Sequence, residues 1–198
     1  SRSGVGLIDL ALPESIYPIA AGAVKEAVFT LLSEEGGQIS LSKAEALLSQ
    51  RLERKTTACL IGCGLGTSGA AQSLVEFLLA HSRAPMVIDA DGLNAVAAKP
   101  EMLRKAQAPL VLTPHPGEMA RLLKTTVQDV QCHRLEYAKQ FAMEHRAVMV
   151  LKGDKTVVAC PDGRLFINTT GNPGMAKAGS GDVLAGIIGS FLAQGLTP

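Results

Sequence analysis

Four short, almost continuously apolar runs, each closed by glycine, proline or an acid, constrain this chain more than any other feature. They are "TACLIGCGLG" (57–66), "PMVIDADGLN" (85–94), "PLVLTPHPGE" (109–118) and "AVMVLKGDKT" (147–156). Apolar runs without alternation suit strands buried on both faces. Helical spacing fills two of the intervals: 68–82, with Ser68 placed to cap it, and 127–145, which reads as one long helix. Strand–helix alternation of this kind implies a mainly parallel sheet with helices on both faces, an α/β architecture. Ligands of such sheets gather at the carboxyl ends of the strands. The glycine and polar features fall after those ends, at 62–67, 89–94, 113–118 and 152–156, so they converge on one rim.

Elsewhere, 4–12 reads as a strand, 20–37 as a helix stopped by Gly36-Gly37, and 42–55 as an amphipathic helix. Towards the end, 163–170 reads as a strand and 179–195 as a glycine loop opening a helix. The 198 residues are enough for a real core and are expected to form one domain over 1–198. Because the chain opens directly on a strand and stops at "GLTP", flanking elements are expected beyond both ends.

A net charge of +1 without a Lys/Arg block gives no footprint for nucleic acid or an anionic membrane. The absence of Trp removes the best base-stacking platform. No apolar run reaches transmembrane length, and the first residues lack signal-peptide order. Cys59, Cys63, Cys132 and Cys160 form no CxxC pair and read as buried, unreactive thiols in a reducing cytoplasm.

The stretch "NPGMAKAGSGDVLAG" (172–186) carries the clearest chemistry. Gly179, Ser180 and Gly181 lead into an apolar helix beginning near Asp182. A helix start presents unpaired N–H groups and a positive dipole end, and glycine lets an anion approach them closely. Asp182 either caps this helix or takes a proton from a hydroxyl beside a bound phosphate. In "LKGDKTVVA", Lys152 precedes a tight turn. Lys152, Gly153, Asp154, Lys155 and Thr156 read either as a plain hairpin tip or as a grip on a nucleotide. In "LTPHPGE", two prolines stiffen the backbone around His115, a rigid ligand contact, and Glu118 either caps the next helix or reaches a magnesium-bound water. "IGCGLGTS" approaches a dinucleotide fingerprint, but Thr67 stands where the third glycine belongs. Asp89, Asp91 and Asn94 of "VIDADGLN" suit metal-bound water or ligand hydroxyls, or are solvated loop residues.

Taken in order, "GLG", "VIDADGLN", "LTPHPGEMARLL", "LKGDKTVV" and "NPGMAKAGSGDVLAGIIG" resemble the NAD(P)H-hydrate dehydratases of the ribokinase-like superfamily, over nearly the whole chain. The resemblance implies a three-layer ribokinase-like sandwich and a carbon–oxygen lyase that repairs hydrated nicotinamide dinucleotides. In that reaction ADP or ATP phosphorylates the ring hydroxyl, with Mg2+, and loss of phosphate restores NADH or NADPH. It further implies that Asp182 is the base, that Gly179, Ser180 and Gly181 form an anion hole, and that Gly64, Gly66 and His115 contact the hydrate. Lys152 to Thr156 would hold the nucleotide with Gly181, and Glu118 would lie near the metal through water. The expected setting is a cytoplasmic homo-oligomer with a fused or separate NAD(P)H-hydrate epimerase. A ribokinase-like small-molecule kinase, or a nucleotide-binding module without catalysis, remains the alternative.

Overall fold

The computed structural model describes residues 2–53 and 56–198. Its centre is a six-stranded sheet in the order β10-β9-β8-β7-β6-β5. The strands are β5 (Cys59–Ile61), β6 (Met86–Ile88), β7 (Leu110–Leu112), β8 (Ala147–Leu151), β9 (Val157–Ala159) and β10 (Leu165–Ile167). β5 to β8 run parallel, while β9 and β10 are added antiparallel at one edge.

Alternation along these strands divides the core in two. Met86, Ile88, Leu110, Leu112, Met149 and Leu151 face one side and pack with α3 (Gly69–His81), α4 (Ala90–Ala98), α5 (Pro116–Leu123) and α7 (Arg134–His145). Val87, Val111, Val148 and Val150 face the other side and meet Ala185 and Leu192 of α8 (Ser180–Ala193). The result is the expected three-layer, mainly parallel α/β sandwich. Ser68 caps α3 as its position suggests, accepting from the Ala71 N–H at 3.2 Å. The helix expected over 42–55 forms as α2 (Leu41–Glu53), and residues 54 and 55 lie outside the described residues.

Four readings need correction. Residues 20–37 are not one helix: α1 (Tyr17–Ala23) ends early, β2 (Val28–Leu32) pairs in parallel with β1 (Asp9–Pro13), and the short strands β3 (Glu34–Glu35) and β4 (Gln38–Ile39) pair antiparallel after it. Val28, Phe29 and Thr30 are β-branched or aromatic and pack well on a pleated surface. The Thr30 hydroxyl also donates to Asp9 at 2.7 Å across that pair. β1 itself starts at Asp9, later than the apolar run suggests. Residues 127–145 form two helices, α6 (Val127–Cys132) and α7, because His133 leaves helical dihedrals. Backbone bonds from His133 to Asp129 and from Tyr137 to His133 bridge the break, so helical spacing in the sequence runs straight through it. Finally, Asp91 and Asn94 sit on α4 and not in a loop.

Candidate active site

The carboxyl ends of β5 to β8 and the start of α8 meet at one place. β6 ends at Ile88, and the next residue, Asp89, is almost fully buried. Its backbone N–H continues the ladder to the Ile61 carbonyl at 3.1 Å. The chain then turns abruptly into α4 through Ala90, whose φ of 48° is rare for a residue with a Cβ. Strained backbone of this kind clusters at functional sites.

Buried charge must be paired, and Asp89 is. Its Oδ1 accepts from Lys152 Nζ at 2.8 Å and from the Thr113 hydroxyl at 2.8 Å. Lys152 Nζ also lies 3.9 Å from Glu118 Oε2, another buried carboxylate. Gly181 closes over this group: a Cβ there would stand 3.4 Å from Lys152 Nζ and 3.7 Å from Asp89 Oδ2. The carboxylates of Asp89 and Asp182 and the Cys63 thiol offer atoms that all lie within 4.8 Å of one another. Four strand ends and one helix start thus contribute to a single cluster. Lys152 shares one ammonium among several acids, so three carboxylates (Asp89, Glu118 and Asp182) leave an excess of negative charge open to a hard divalent cation beside a phosphate. The soft thiol of Cys63 does not suit Mg2+.

Gly179 precedes α8 as its N-cap and adopts φ 82°, and no side chain caps the helix. The Val183 N–H donates to the Gly179 carbonyl at 3.0 Å as the first helical bond. Of the preceding donors, the Ser180 N–H is bonded to the Lys177 carbonyl at 3.2 Å, and its neighbours at this end are the ones an anion would meet first. Asp182 in the first turn is exposed and makes no cap bond.

His115 caps α5 and does not stand alone. Its Nδ1 accepts from the N–H groups of Gly117 at 2.9 Å and Glu118 at 3.3 Å. In return Glu118 Oε2 accepts the His115 N–H at 2.7 Å, completing a capping box. An accepting Nδ1 puts the proton of the neutral ring on Nε2, 3.4 Å from Glu118 Oε1, in a side chain that is half exposed. Glu118 Oε2 is therefore both the cap and the neighbour of Lys152, while Oε1 faces the His115 ring.

The glycine loop after β5 holds Gly64 and Gly66, both exposed with positive φ. The Gly66 N–H donates to Asp91 at 2.8 Å, Asp91 accepts from Asn94, and Asn94 accepts from Arg121 at 2.8 Å. The sequence motifs at 62–66, 89–94 and 113–121 are thus linked physically. The β8–β9 turn splits its residues. Lys152 points inward to the acids, while Gly153, Asp154 and Lys155 are exposed at the tip and the Thr156 hydroxyl donates back to Gly153.

Three contributors carry no motif signal of their own. Thr113 reads as part of a proline turn but donates to Asp89. Arg134, inside a long helical stretch, donates to the carbonyls of Leu151 and Lys152. Cys63 corrects the reading of the thiols: it is exposed, Cys132 is exposed too, and the other two are half-buried. Desolvation of the Cys63 thiol comes first, followed by its hydrogen bond to Asp182 and the charges of Asp182 and Asp89; together they push its pKa up to about 12.

The Lys152–Asp89 pair makes a stability prediction. Lys152→Met leaves the Asp89 carboxylate buried without its cation and lowers stability by about 3 kcal/mol. The double variant Asp89→Asn/Lys152→Met recovers most of that loss in a chemical-denaturation series. Equal stability of the single and double variants would show that the pair does not hold this rim together.

A family model described as NAD(P)H-hydrate dehydratase matches residues 1–198. The bifunctional NAD(P)H-hydrate repair enzyme Nnr of Moorella thermoacetica is 47% identical over 198 residues, covering 100% of this chain and 37% of that protein. The ADP-dependent (S)-NAD(P)H-hydrate dehydratase of Neisseria meningitidis is 46% identical over 162 residues, 80% of this chain and 54% of that one. Among solved structures, the ADP/ATP-dependent NAD(P)H-hydrate dehydratase of Bacillus subtilis, co-crystallized with ATP/Mg2+, superposes with a TM-score of 0.75 at 32% identity. That match covers 97% of this chain and 64% of the Bacillus chain, so the chain spans only part of each of these relatives. A family match over the whole length, 1–198, places this chain in the NAD(P)H-hydrate dehydratase family.

Proposed function

We propose that the protein dehydrates NAD(P)H hydrate in two steps, with ADP as phosphoryl donor. The observation that carries this reading is the approach of Asp182, at the glycine-capped start of α8, to the paired Asp89–Lys152 cluster. Asp182 takes the proton from the ring hydroxyl of the hydrate as that oxygen attacks the terminal phosphorus. The N–H groups of Gly179 and Gly181 donate to the moving phosphoryl group, and that of Ser180 joins them on leaving the Lys177 carbonyl, which it meets at 3.2 Å. The bond to the leaving phosphate of the donor breaks, giving AMP and a phosphorylated ring. Phosphate then leaves with the C–O bonding pair, a proton leaves the neighbouring ring atom, and the double bond of NADH or NADPH returns.

His115 and the Gly64–Gly66 loop hold the dinucleotide in this reading, and Gly153 to Thr156 hold the nucleotide, with Gly181 beside it. Lys152 serves the nucleotide through Asp89, anchoring the acids rather than reaching outward. Mg2+, when bound with the nucleotide, spreads positive charge over the phosphate oxygens. Asp89 would fit it best, Glu118, whose oxygens face Lys152 and His115, would reach it through water, and Asp182 stays off the cation to act as base. The protein in this reading is one ribokinase-like domain working as a homo-oligomer in the cytoplasm, where four unpaired thiols persist. An epimerase, fused or separate, feeds it hydrate. Among the described residues no helix is long and apolar enough to cross a membrane.

The test uses full-length protein, NADH hydrate and Mg2+, with ADP and ATP added in turn. Recovery of the reduced nicotinamide absorbance, faster with ADP, is the expected result. Bound nucleotide with no recovery would move the function to a small-molecule kinase or a module without catalysis.

His115 supplies a second test. His115→Ala removes a ligand contact and the helix cap together, so it raises the KM for the hydrate about tenfold and costs about 1 kcal/mol of stability. His115→Asn keeps a good cap and loses only the ring. Its stability is expected to match wild type while the KM for the hydrate stays high. A KM change confined to the nucleotide would remove His115 from the dinucleotide site.

A further inference from the structure

We propose that Arg134, on α7, is a positioning residue that sets nucleotide affinity by pinning the backbone at the end of β8. This rests on the reading that the β8–β9 turn holds the nucleotide. At Lys152 the sheet changes from parallel to antiparallel, and the chain must leave its ladder and reverse. Both backbone groups of Lys152 are held there. Its N–H donates to the Pro114 carbonyl at 2.8 Å. Its carbonyl accepts from both terminal nitrogens of Arg134, each at 3.3 Å. The same guanidinium donates to the Leu151 carbonyl at 2.9 Å. A planar fork with several donors can satisfy two successive carbonyls in this way, and an ammonium cannot reproduce the geometry.

Gly153 shows that this arrangement shapes the turn. A Cβ on Gly153 would stand 2.9 Å from one terminal nitrogen of Arg134 and 3.1 Å from the other. The guanidinium occupies the place where a side chain would lie, and the residue adopts φ 147°. Lys155 follows at φ 56°, and the Thr156 hydroxyl closes the turn on the Gly153 carbonyl at 3.1 Å. Fixing the Lys152 carbonyl therefore fixes two things. One is the direction of the Lys152 side chain towards Asp89 and Glu118. The other is the path of Gly153 to Thr156, of which Gly153, Asp154 and Lys155 stand exposed to meet a ligand. Arg134 itself lies behind the turn, so it acts through these residues. Burial lowers its pKa from the ordinary value, opposed by the nearby charge of Asp154.

The experiment measures the Kd of ADP by calorimetry and the KM values of ADP and hydrate separately, in full-length wild type, Arg134→Ala and Arg134→Lys. Arg134→Ala is expected to raise the Kd and KM of ADP about tenfold, the scale of one lost charge-assisted hydrogen bond, and to leave the KM of the hydrate within about twofold. Arg134→Lys is expected to fall between, and it carries the test if the alanine variant does not fold. A lower Tm with an unchanged ADP Kd would make Arg134 a structural strap only and overturn the proposal. An equal rise in both KM values would also overturn it, because the turn would not be specific to the nucleotide. A wild-type protein that binds ADP but restores no NADH would defeat the proposed function and still decide this point, since the ADP Kd is read directly. A wild-type protein that binds no ADP would overturn both.

Discussion

Asp182→Asn is expected to lower kcat about 10³-fold, roughly 4 kcal/mol of transition-state stabilisation, while ADP still binds. The amide keeps the size and shape of the carboxylate and loses the ability to take a proton. The fold is spared because Asp182 is exposed and makes no cap bond. Loss of its charge from the first turn of α8 costs no more than about 1 kcal/mol. A second readout is independent of turnover. The Cys63 thiol owes its raised pKa first to desolvation and then to the hydrogen bond and charge of Asp182. With asparagine at 182 the thiolate becomes easier to form. The pKa drops from about 12 and stays above the ordinary thiol value, because desolvation and Asp89 remain. Alkylation of Cys63 at alkaline pH accelerates accordingly. Wild-type turnover in this variant would remove Asp182 as the base. An unchanged Cys63 titration would separate the two side chains.

Sequence pattern reaches the rim of this site but not its wiring. Period and turn chemistry place β5 to β8 and their loops, because buried parallel strands cannot be built from other residue types. They also place Gly179 to Asp182 at a helix start. They do not say where Lys152 points. In sequence it belongs to a hairpin tip with Asp154 and Lys155, and the reversal of its side chain comes from Asp89, just past β6, and Glu118, on α5, which are 63 and 34 residues away. Arg134 is hidden for the same reason: its partners are carbonyls, which carry no residue signature. Misreading 20–37 as a helix has another cause. Local spacing there fits a helix, and the partner strand that stabilises β2 is Asp9–Pro13, outside any local window. Long-range pairing decides such segments over intrinsic propensity.

Gly62→Ala is expected to be the most damaging of the glycine substitutions, costing about 4 kcal/mol or more. Gly62 follows β5 with φ 129°, a conformation that side-chain-bearing residues seldom adopt. The space is more decisive than the dihedral. A Cβ at Gly62 would fall 1.8 Å from the Asp89 carbonyl oxygen and 2.7 Å from the Gly92 N–H nitrogen. Both are backbone atoms, so no rotamer change relieves the overlap. They belong to the turn through Ala90 that carries the buried Asp89 carboxylate, and Asp91 N–H is bonded to the Gly62 carbonyl at 3.3 Å. α4 must therefore move away from the sheet, taking Asp89 from Lys152 and Thr113. For a domain of this size the loss lowers Tm by roughly 8–16 °C, with kcat reduced in what remains folded. Gly64→Ala separates dihedral strain from overlap. Gly64 also has positive φ, 68°, but nothing lies within 4 Å of where its Cβ would be. That variant is expected to lose only about 1 kcal/mol. If the two substitutions cost the same, the close approach of Gly62 to the Asp89 backbone does not hold the rim, and strain at positive φ is the whole effect.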